Sequence, residues 1–202
     1  MPRTLLIVPT GHGVGLTSTS LALVAACERQ NVRVGFAKPI AQRDEAQGAG
    51  ERSSALIRLG TTLTPPVPIT RDHAEALLGA GDDQVLLEEV VARCEPLMTG
   101  EGVVIIEGLA EGDRSLPAAR INQALARTLD ADVLLVGSGV GDPQDIVEGV
   151  LIAARAFDQG EERRVVGVVL NCVPDGGKEP LSALLKTNRL PLIGTFPAVP
   201  EL

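Results

Sequence analysis

The fold is decided by the stretch Pro9-Thr10-Gly11-His12-Gly13-Val14-Gly15-Leu16-Thr17-Ser18. The apolar run at residues 5–8 that precedes it is typical of a buried strand, and residues 16–29 are typical of a helix. A strand, a glycine-rich turn and a helix form a unit that binds phosphate, because glycines let backbone N–H groups approach an anion and the helix N-terminus adds a favourable dipole. The sequence therefore predicts a phosphate-binding loop at residues 9–18.

One position departs from a working phosphate-binding loop. The pattern Gly-Lys-[Ser/Thr] places a lysine where this chain has Leu16. An anion can still be bound by the backbone amides and hydroxyls of Gly11, Gly13, Gly15, Thr17 and Ser18. The hydroxyl of Thr17 can also reach a water bound to magnesium. The alternative is a tight strand–helix turn in which Thr17 or Ser18 only caps the helix.

Alternating strands and helices follow along the whole chain. We predict strands at residues 5–8, 32–37, 103–106, 131–136, 165–170 and 191–195. Helices are predicted at residues 16–29, 53–59, 72–78, 82–97, 116–129, 143–157 and 181–186, with an extended loop at 61–70 and a polar stretch at 42–52. This alternation indicates an α/β fold with a doubly wound, mostly parallel sheet of about six strands and helices on both faces.

Composition agrees with that architecture. The chain has 202 residues, of which 45% are hydrophobic and only 1% aromatic, so the core must be aliphatic, as parallel sheets covered on both faces usually are. We predict a single domain over residues 1–202, since no internal repeat or low-complexity linker interrupts it. The chain stops just after the last predicted strand, which suggests the N-terminal part of a longer protein.

The net charge and the cysteine content limit the kinds of partner and the cellular compartment that we expect for this protein. The net charge of −8 argues against nucleic-acid binding and against association with anionic membranes. The three cysteines form neither a disulfide framework nor a metal-binding spacing, and neither a signal peptide nor a membrane-spanning stretch is recognisable. We therefore expect a cytoplasmic protein. His73 has no expected partner and no expected role.

Three polar residues end predicted strands, and all fall on the sheet edge that carries the glycine loop. Lys38 either supplies the cation that Leu16 does not, or is an ordinary solvated lysine. Glu107, followed by Gly108, either orients magnesium on a nucleotide phosphate or caps the next turn. Asn171 either pairs with a base edge or forms an asparagine turn. Their shared edge favours a common site.

These residues carry a family resemblance. The chain resembles the dethiobiotin-synthetase-like group of P-loop NTPase-like nucleotide-binding domains in the segments 10–20, 36–42, 106–109 and 168–171. The resemblance is closer to one branch, the N-terminal domains of long bacterial phosphate acetyltransferases, which carry leucine at the position of Leu16. Segments 69–78 and 86–89 are also similar to that branch, so the resemblance covers essentially the whole chain.

The resemblance implies a regulatory and oligomerisation domain without catalytic residues of its own. Acetyl transfer between coenzyme A and phosphate would be carried by a C-terminal acyltransferase domain of the same chain, in a homo-oligomer. No cofactor is required, although a nucleotide or anionic metabolite can bind weakly with magnesium held by Thr17 and Glu107. The alternative is an ATP-dependent ligase of the dethiobiotin synthetase or cobyrinic acid diamide synthase type. Those synthetases carry a loop lysine and a loop aspartate, where this chain has Leu16 and Gly11.

Overall fold

A computed structural model describes residues 2–42, 51–112, 116–158 and 163–198. Six parallel strands form one sheet in the order β2-β3-β1-β4-β5-β6. Their bounds are β1 Arg3–Pro9, β2 Val34–Ala37, β3 Val103–Glu107, β4 Asp132–Ser138, β5 Val165–Val173 and β6 Leu192–Pro197. The parallel six-stranded sheet predicted from the sequence is confirmed, and every predicted strand is present.

Seven helices connect the strands in the described part of the chain. They are α1 Leu16–Arg29, α2 Arg52–Gly60, α3 Arg71–Ala80, α4 Asp83–Cys94, α5 Ala118–Thr128, α6 Pro143–Arg155 and α7 Lys178–Thr187. The helix predicted at residues 82–97 ends at Cys94 and continues as a 3-10 turn, Glu95–Leu97. Pro96 explains this break, because proline lacks an N–H and clashes with the preceding turn of an α-helix.

The helices cover both faces of the sheet. Successive residues of a strand point to opposite faces, and Ile7 and Ile105 pack in a different buried cluster from their neighbours Leu6 and Ile106. One cluster contains buried residues of α3 to α7, whereas the other contains residues of α1 and α2. The smaller cluster lies beneath the glycine loop, so α1 and α2 position the candidate site.

The remaining segments agree with the sequence where they are described. Residues 61–70 are an extended connection, and Ile69 forms a single parallel bridge with Ile40 after β2. Most of the polar stretch predicted at 42–52 and the chain end from residue 199 lie outside the described residues. Within the described residues, the helices are all too short or too polar to cross a bilayer.

His73 has a partner, contrary to expectation. Its Nε2 lies 2.9 Å from Glu89 Oε1, linking α3 to α4, and Arg93 also contacts Glu89. The hydrogen bond with His73, together with the charges of His73 and Arg93, lowers the pKa of Glu89 below its ordinary value of 4.5. A carboxylate with a lowered pKa in the folded state contributes stability above its ordinary pKa and loses it as the pH falls through the lowered value.

We therefore expect the melting temperature of the native protein to exceed that of a Glu89→Gln variant slightly at neutral pH, with the difference vanishing on acidification below about pH 4. The measurement is thermal unfolding followed by circular dichroism from about pH 7 down to about pH 3. A difference that does not change with pH would show that the His73–Glu89 contact contributes no charge-dependent stability.

Candidate phosphate-loop site

The sequence-predicted site residues meet at the carboxyl edge of the sheet. β1 leads into the glycine loop, β2 ends one residue before Lys38, β3 ends at Glu107, and Asn171 lies near the end of β5. Because all strands are parallel, their carboxyl ends share one edge. The structure thereby places Lys38, Glu107 and Asn171 at the same edge as the loop at residues 9–18.

The glycine loop has a backbone that requires glycine at two positions. Gly13 and Gly15 have φ angles of 63° and 78°, in the left-handed region that L side chains rarely adopt. Gly15 is also the N-cap of α1, and no side chain caps the helix there. The alternative in which Thr17 or Ser18 caps α1 is therefore wrong in that respect. Ser18 and Gly13 are exposed, whereas Thr17 and Gly11 are half-buried.

Leu16 is part of the core. Only 9% of its surface is exposed, and it belongs to the buried cluster that includes Ile7, Val24 and Ile57. A lysine at this place would put its positive charge beside the bound phosphate. Leucine instead anchors the start of α1 to the sheet, so the loop contributes packing at the position where a nucleotide-hydrolysing site needs a cation.

Lys38 is not a solvated lysine. Its side chain is 1% exposed, and its Nζ donates a 2.5 Å hydrogen bond to the backbone carbonyl of Gly108. The same Nζ lies 3.3 Å from Oε1 of Glu107, whose side chain is 2% exposed. Lys38 and Glu107 therefore form a buried ion pair between the ends of β2 and β3. Contact between Lys38 and a bound anion stays a prediction.

Two hydroxyl groups complete the surroundings of Glu107. Ser53 donates a 2.6 Å hydrogen bond to Glu107 Oε1, and the Thr17 hydroxyl lies 3.4 Å from the same oxygen. The two hydroxyl oxygens are 2.8 Å apart. Thr17 and Glu107, the residues predicted to hold magnesium, are thus adjacent, but within the described part of the chain the polar contacts of this carboxylate are on Oε1. Its Oε2 is buried without a hydrogen-bond partner among the described residues.

Ser53 was not identified from the sequence. It lies at the start of α2, where the carboxylate of Glu51 accepts hydrogen bonds from the backbone N–H groups of Ser53 and Ser54 and so caps the helix. The helix itself was predicted, but nothing in the spacing of residues 51–54 indicates that a serine hydroxyl reaches β3. Only the packing of α2 on α1 brings the two together.

The side chain of Asn171 donates hydrogen bonds to the backbone of the glycine loop. Its Nδ2 lies 2.6 Å from the carbonyl oxygen of Val14, 3.3 Å from that of Gly15 and 3.0 Å from the Thr19 hydroxyl. Of the two alternatives for Asn171, the asparagine turn is wrong, because β5 continues to Val173. The amide nitrogen is committed to the loop, so a contact with a base edge stays a prediction for the amide oxygen alone.

We expect Asn171→Ala to destabilise the protein by about 1–3 kcal/mol, because buried carbonyl groups of the loop lose their donor. Urea unfolding followed by circular dichroism measures this change. The control is Asn188→Ala, which removes an exposed side-chain hydrogen bond to Leu184 at the end of α7 and is expected to cost much less. Equal losses for the two variants would show that Asn171 does not hold the loop.

The segment after β3 is held by two amide side chains. Asn122 makes a 2.8 Å hydrogen bond to both the N–H and the carbonyl of Leu109, and Gln42 makes two 2.9 Å hydrogen bonds to Ala110. A Cβ on Gly108 would lie 2.7 Å from Oδ1 of Asn122, so glycine is needed there. Asn122 could have been found in the sequence as a polar residue beside the apolar face of α5.

Family membership follows from a match over almost the full length. The family model described as the AAA domain matches residues 3–202, and the chain belongs to that family. The chain is also similar to phosphate acetyltransferases, with 37% identity to the Pseudomonas putida protein over 209 residues and 38% to that of Deinococcus radiodurans over 210. Each match covers 99% of this chain and 30% of the relative. The chain therefore spans about a third of the length of these relatives.

Solved structures support the architecture. FtsY from Thermotoga maritima aligns with a TM-score of 0.64 and 16% identity, covering 98% of this chain and 63% of that protein. McdA from Cyanothece, solved as an ATP complex, aligns with a TM-score of 0.60 and 16% identity, covering 98% of this chain and 84% of McdA. At such low identity the similarity shows the P-loop NTPase-like α/β fold and nothing finer.

Proposed function

We propose that this chain is a regulatory and oligomerisation domain of a phosphate acetyltransferase and has no catalytic residues of its own. Acetyl transfer between coenzyme A and phosphate would take place in a C-terminal acyltransferase domain of the same polypeptide, in a cytoplasmic homo-oligomer. The similarity to phosphate acetyltransferases over 99% of this chain, but only 30% of those proteins, supports this proposal.

The burial of Leu16 is the observation that carries the proposal. Phosphoryl transfer needs positive charge on the phosphate where negative charge develops, and the loop lysine normally supplies it. Here that position is apolar and packed into the core. Lys38, a cation at this edge, already neutralises Glu107 inside the protein. The loop therefore lacks the positive charge that phosphoryl transfer from ATP needs.

A weak ligand site is compatible with this role. The N-terminus of α1 has no side-chain cap, and glycines bring the loop backbone to the sheet edge. A nucleotide or a small anionic metabolite can be held there by backbone N–H groups without a loop lysine. No cofactor is required for this. The net charge of −8 disfavours nucleic acid and anionic membranes as partners.

An ATP-dependent ligase is the second candidate. It is favoured by one observation, the adjacency of Lys38, Thr17 and Glu107, which keeps three polar groups of a nucleotide site together. It is opposed by Leu16 and Gly11, which replace the loop lysine and aspartate of the synthetases. The ligase would require ATP turnover by this chain alone, whereas the regulatory domain requires none.

The test of the proposal compares the purified chain with a longer polypeptide that contains it. We expect no acetyl phosphate from acetyl-CoA and phosphate with residues 1–202 alone. Deleting these residues from the longer protein should leave the chemistry but change the oligomer mass, measured by light scattering, and the response to metabolites. Acetyl phosphate formation by the purified chain, or an unchanged oligomer and response after deletion, would contradict the proposal.

A further inference from the structure

The surroundings of Glu107 do not fit the magnesium ion that the sequence led us to expect. Mg²⁺ is held by oxygen ligands at about 2.1 Å, usually with one or two carboxylates and several waters. Among the described residues, Glu107 is the carboxylate that the Thr17 and Ser53 hydroxyls approach. Glu51 caps α2 with both of its oxygens, so this neighbouring carboxylate is already engaged.

The ammonium group of Lys38 lies next to Glu107, where a metal ion bound to this carboxylate would have to be. It lies 3.3 Å from Oε1 of Glu107, the oxygen on which both hydroxyls converge. An Mg²⁺ ion on that oxygen would lie no more than about 5.4 Å from Nζ, whatever its direction. Two positive charges at that separation in a buried site repel strongly, because little water is present to screen them.

The other carboxylate oxygen offers no better place. Oε2 of Glu107 is buried and has no hydrogen-bond partner among the described residues, whereas the hydroxyls of Thr17 and Ser53 approach Oε1. An ion on Oε2 would have to enter an enclosed position without these hydroxyls. Mg²⁺ gives up its waters reluctantly, so such a position is unfavourable for it.

We propose that Lys38 replaces a divalent cation at Glu107, so that the cluster of Lys38, Glu107, Thr17 and Ser53 does not bind Mg²⁺. Taken with the proposed ligand-binding role of the loop, this means that the cluster supplies no metal ligand to an anion bound there. The ligand, a phosphate, carboxylate or nucleotide, is then held by the loop backbone and hydroxyls and not through a metal ion on Glu107. The pair also leaves the net charge of the cluster at zero, which removes the repulsion that Glu107 alone would exert on an anion.

The test uses Mn²⁺ as a paramagnetic stand-in for Mg²⁺, titrated into the full chain without any nucleotide. Bound Mn²⁺ is counted from the loss of the free-ion spectrum in electron paramagnetic resonance. Since the acidic surface binds some Mn²⁺, the native protein is compared with Glu107→Gln. We expect the two binding curves to coincide. One more Mn²⁺ per chain in the native protein than in Glu107→Gln would overturn the proposal.

A second pair of variants tests the role of Lys38. Lys38→Gln removes the charge but keeps a donor for the Gly108 carbonyl, and we expect it to gain one Mn²⁺ per chain. The gain should disappear in Lys38→Gln/Glu107→Gln. A folded Lys38→Gln variant that gains no site would show that Lys38 is not what excludes the metal. If this variant or Glu107→Gln fails to fold, Lys38→Gln/Glu107→Gln, which leaves no unpaired buried charge, is the reference against which one extra Mn²⁺ in the native protein is counted.

These outcomes are separate from the proposed function. The Mn²⁺ titration needs neither a longer polypeptide nor any acetyltransferase assay. The deletion experiment can therefore contradict the regulatory role while the cluster is still found to bind no metal. Conversely, a metal site can be found without the domain being catalytic.

Discussion

Lys38→Met is expected to destabilise the protein by about 3–5 kcal/mol, because it breaks the buried ion pair with Glu107. Methionine fills the space of the lysine stem but leaves the buried carboxylate of Glu107 without its counter-charge. The Gly108 carbonyl also loses a donor. Removing one partner of a buried ion pair costs more than the pair itself contributes, because the remaining charge stays desolvated. Guanidinium unfolding at neutral pH measures the change.

The double variant Lys38→Met/Glu107→Leu separates the ion pair from local packing. Replacing both charges with apolar groups of similar volume avoids an unpaired buried charge, so the double variant is expected to recover much of the stability lost in Lys38→Met. The hydroxyls of Thr17 and Ser53 can still bond to each other. A double variant less stable than Lys38→Met would show that the pair is not the source of the loss.

Gly15→Ala is expected to cost about 2–4 kcal/mol, for two reasons that add. The φ angle of 78° is unfavourable for any residue with a Cβ. An added Cβ would also lie 2.6 Å from Nδ2 of Asn171, the atom that holds the loop. The loop must then either shift or lose its hydrogen bonds to Asn171. Chemical denaturation measures the loss, and the Asn171→Ala background should reduce it.

Gly13→Ala is the matched control for the steric contribution to the Gly15→Ala effect. Gly13 has a similar φ angle of 63°, but a Cβ there would have no heavy atom within 4 Å outside its chain neighbours. It should therefore show only the conformational cost of roughly 1–2 kcal/mol. If Gly13→Ala and Gly15→Ala cost the same, the close approach of Asn171 contributes nothing to the requirement for glycine at position 15.

The sheet could be predicted from the sequence because its signal is local. The central strands are built around aliphatic runs, such as residues 103–106 and 133–136, which are followed directly by Glu107 and Gly137. The alternation with helices then leaves few arrangements other than a parallel sheet. Element ends were less predictable. β5 runs past Asn171 because the strand continues through an irregularity in its pairing with β6, which a local pattern does not reveal.

The contacts of the site could not be predicted, because they depend on distant packing. The sequence identified Lys38 and Glu107 as strand-end residues on one edge, but their pairing depends on the adjacency of β2 and β3. Ser53 reaches Glu107 across 54 residues, and Asn171 reaches Val14 across 157. Such contacts are formed by the fold and not by spacing along the chain. The resemblance pointed to positions that lie together at one edge of the sheet, without indicating that their side chains bond to one another.

ATP turnover by the purified chain tests the central claim most directly, namely that this loop does not support nucleotide chemistry. The assay measures phosphate release from ATP with magnesium, for the native protein and for Glu107→Gln, purified in the same way. The account predicts no release above that of the variant, because Leu16 provides no charge at the loop and Lys38 is bound within the protein. Sustained turnover in the native protein that Glu107→Gln abolishes would contradict the account and favour the ATP-dependent ligase.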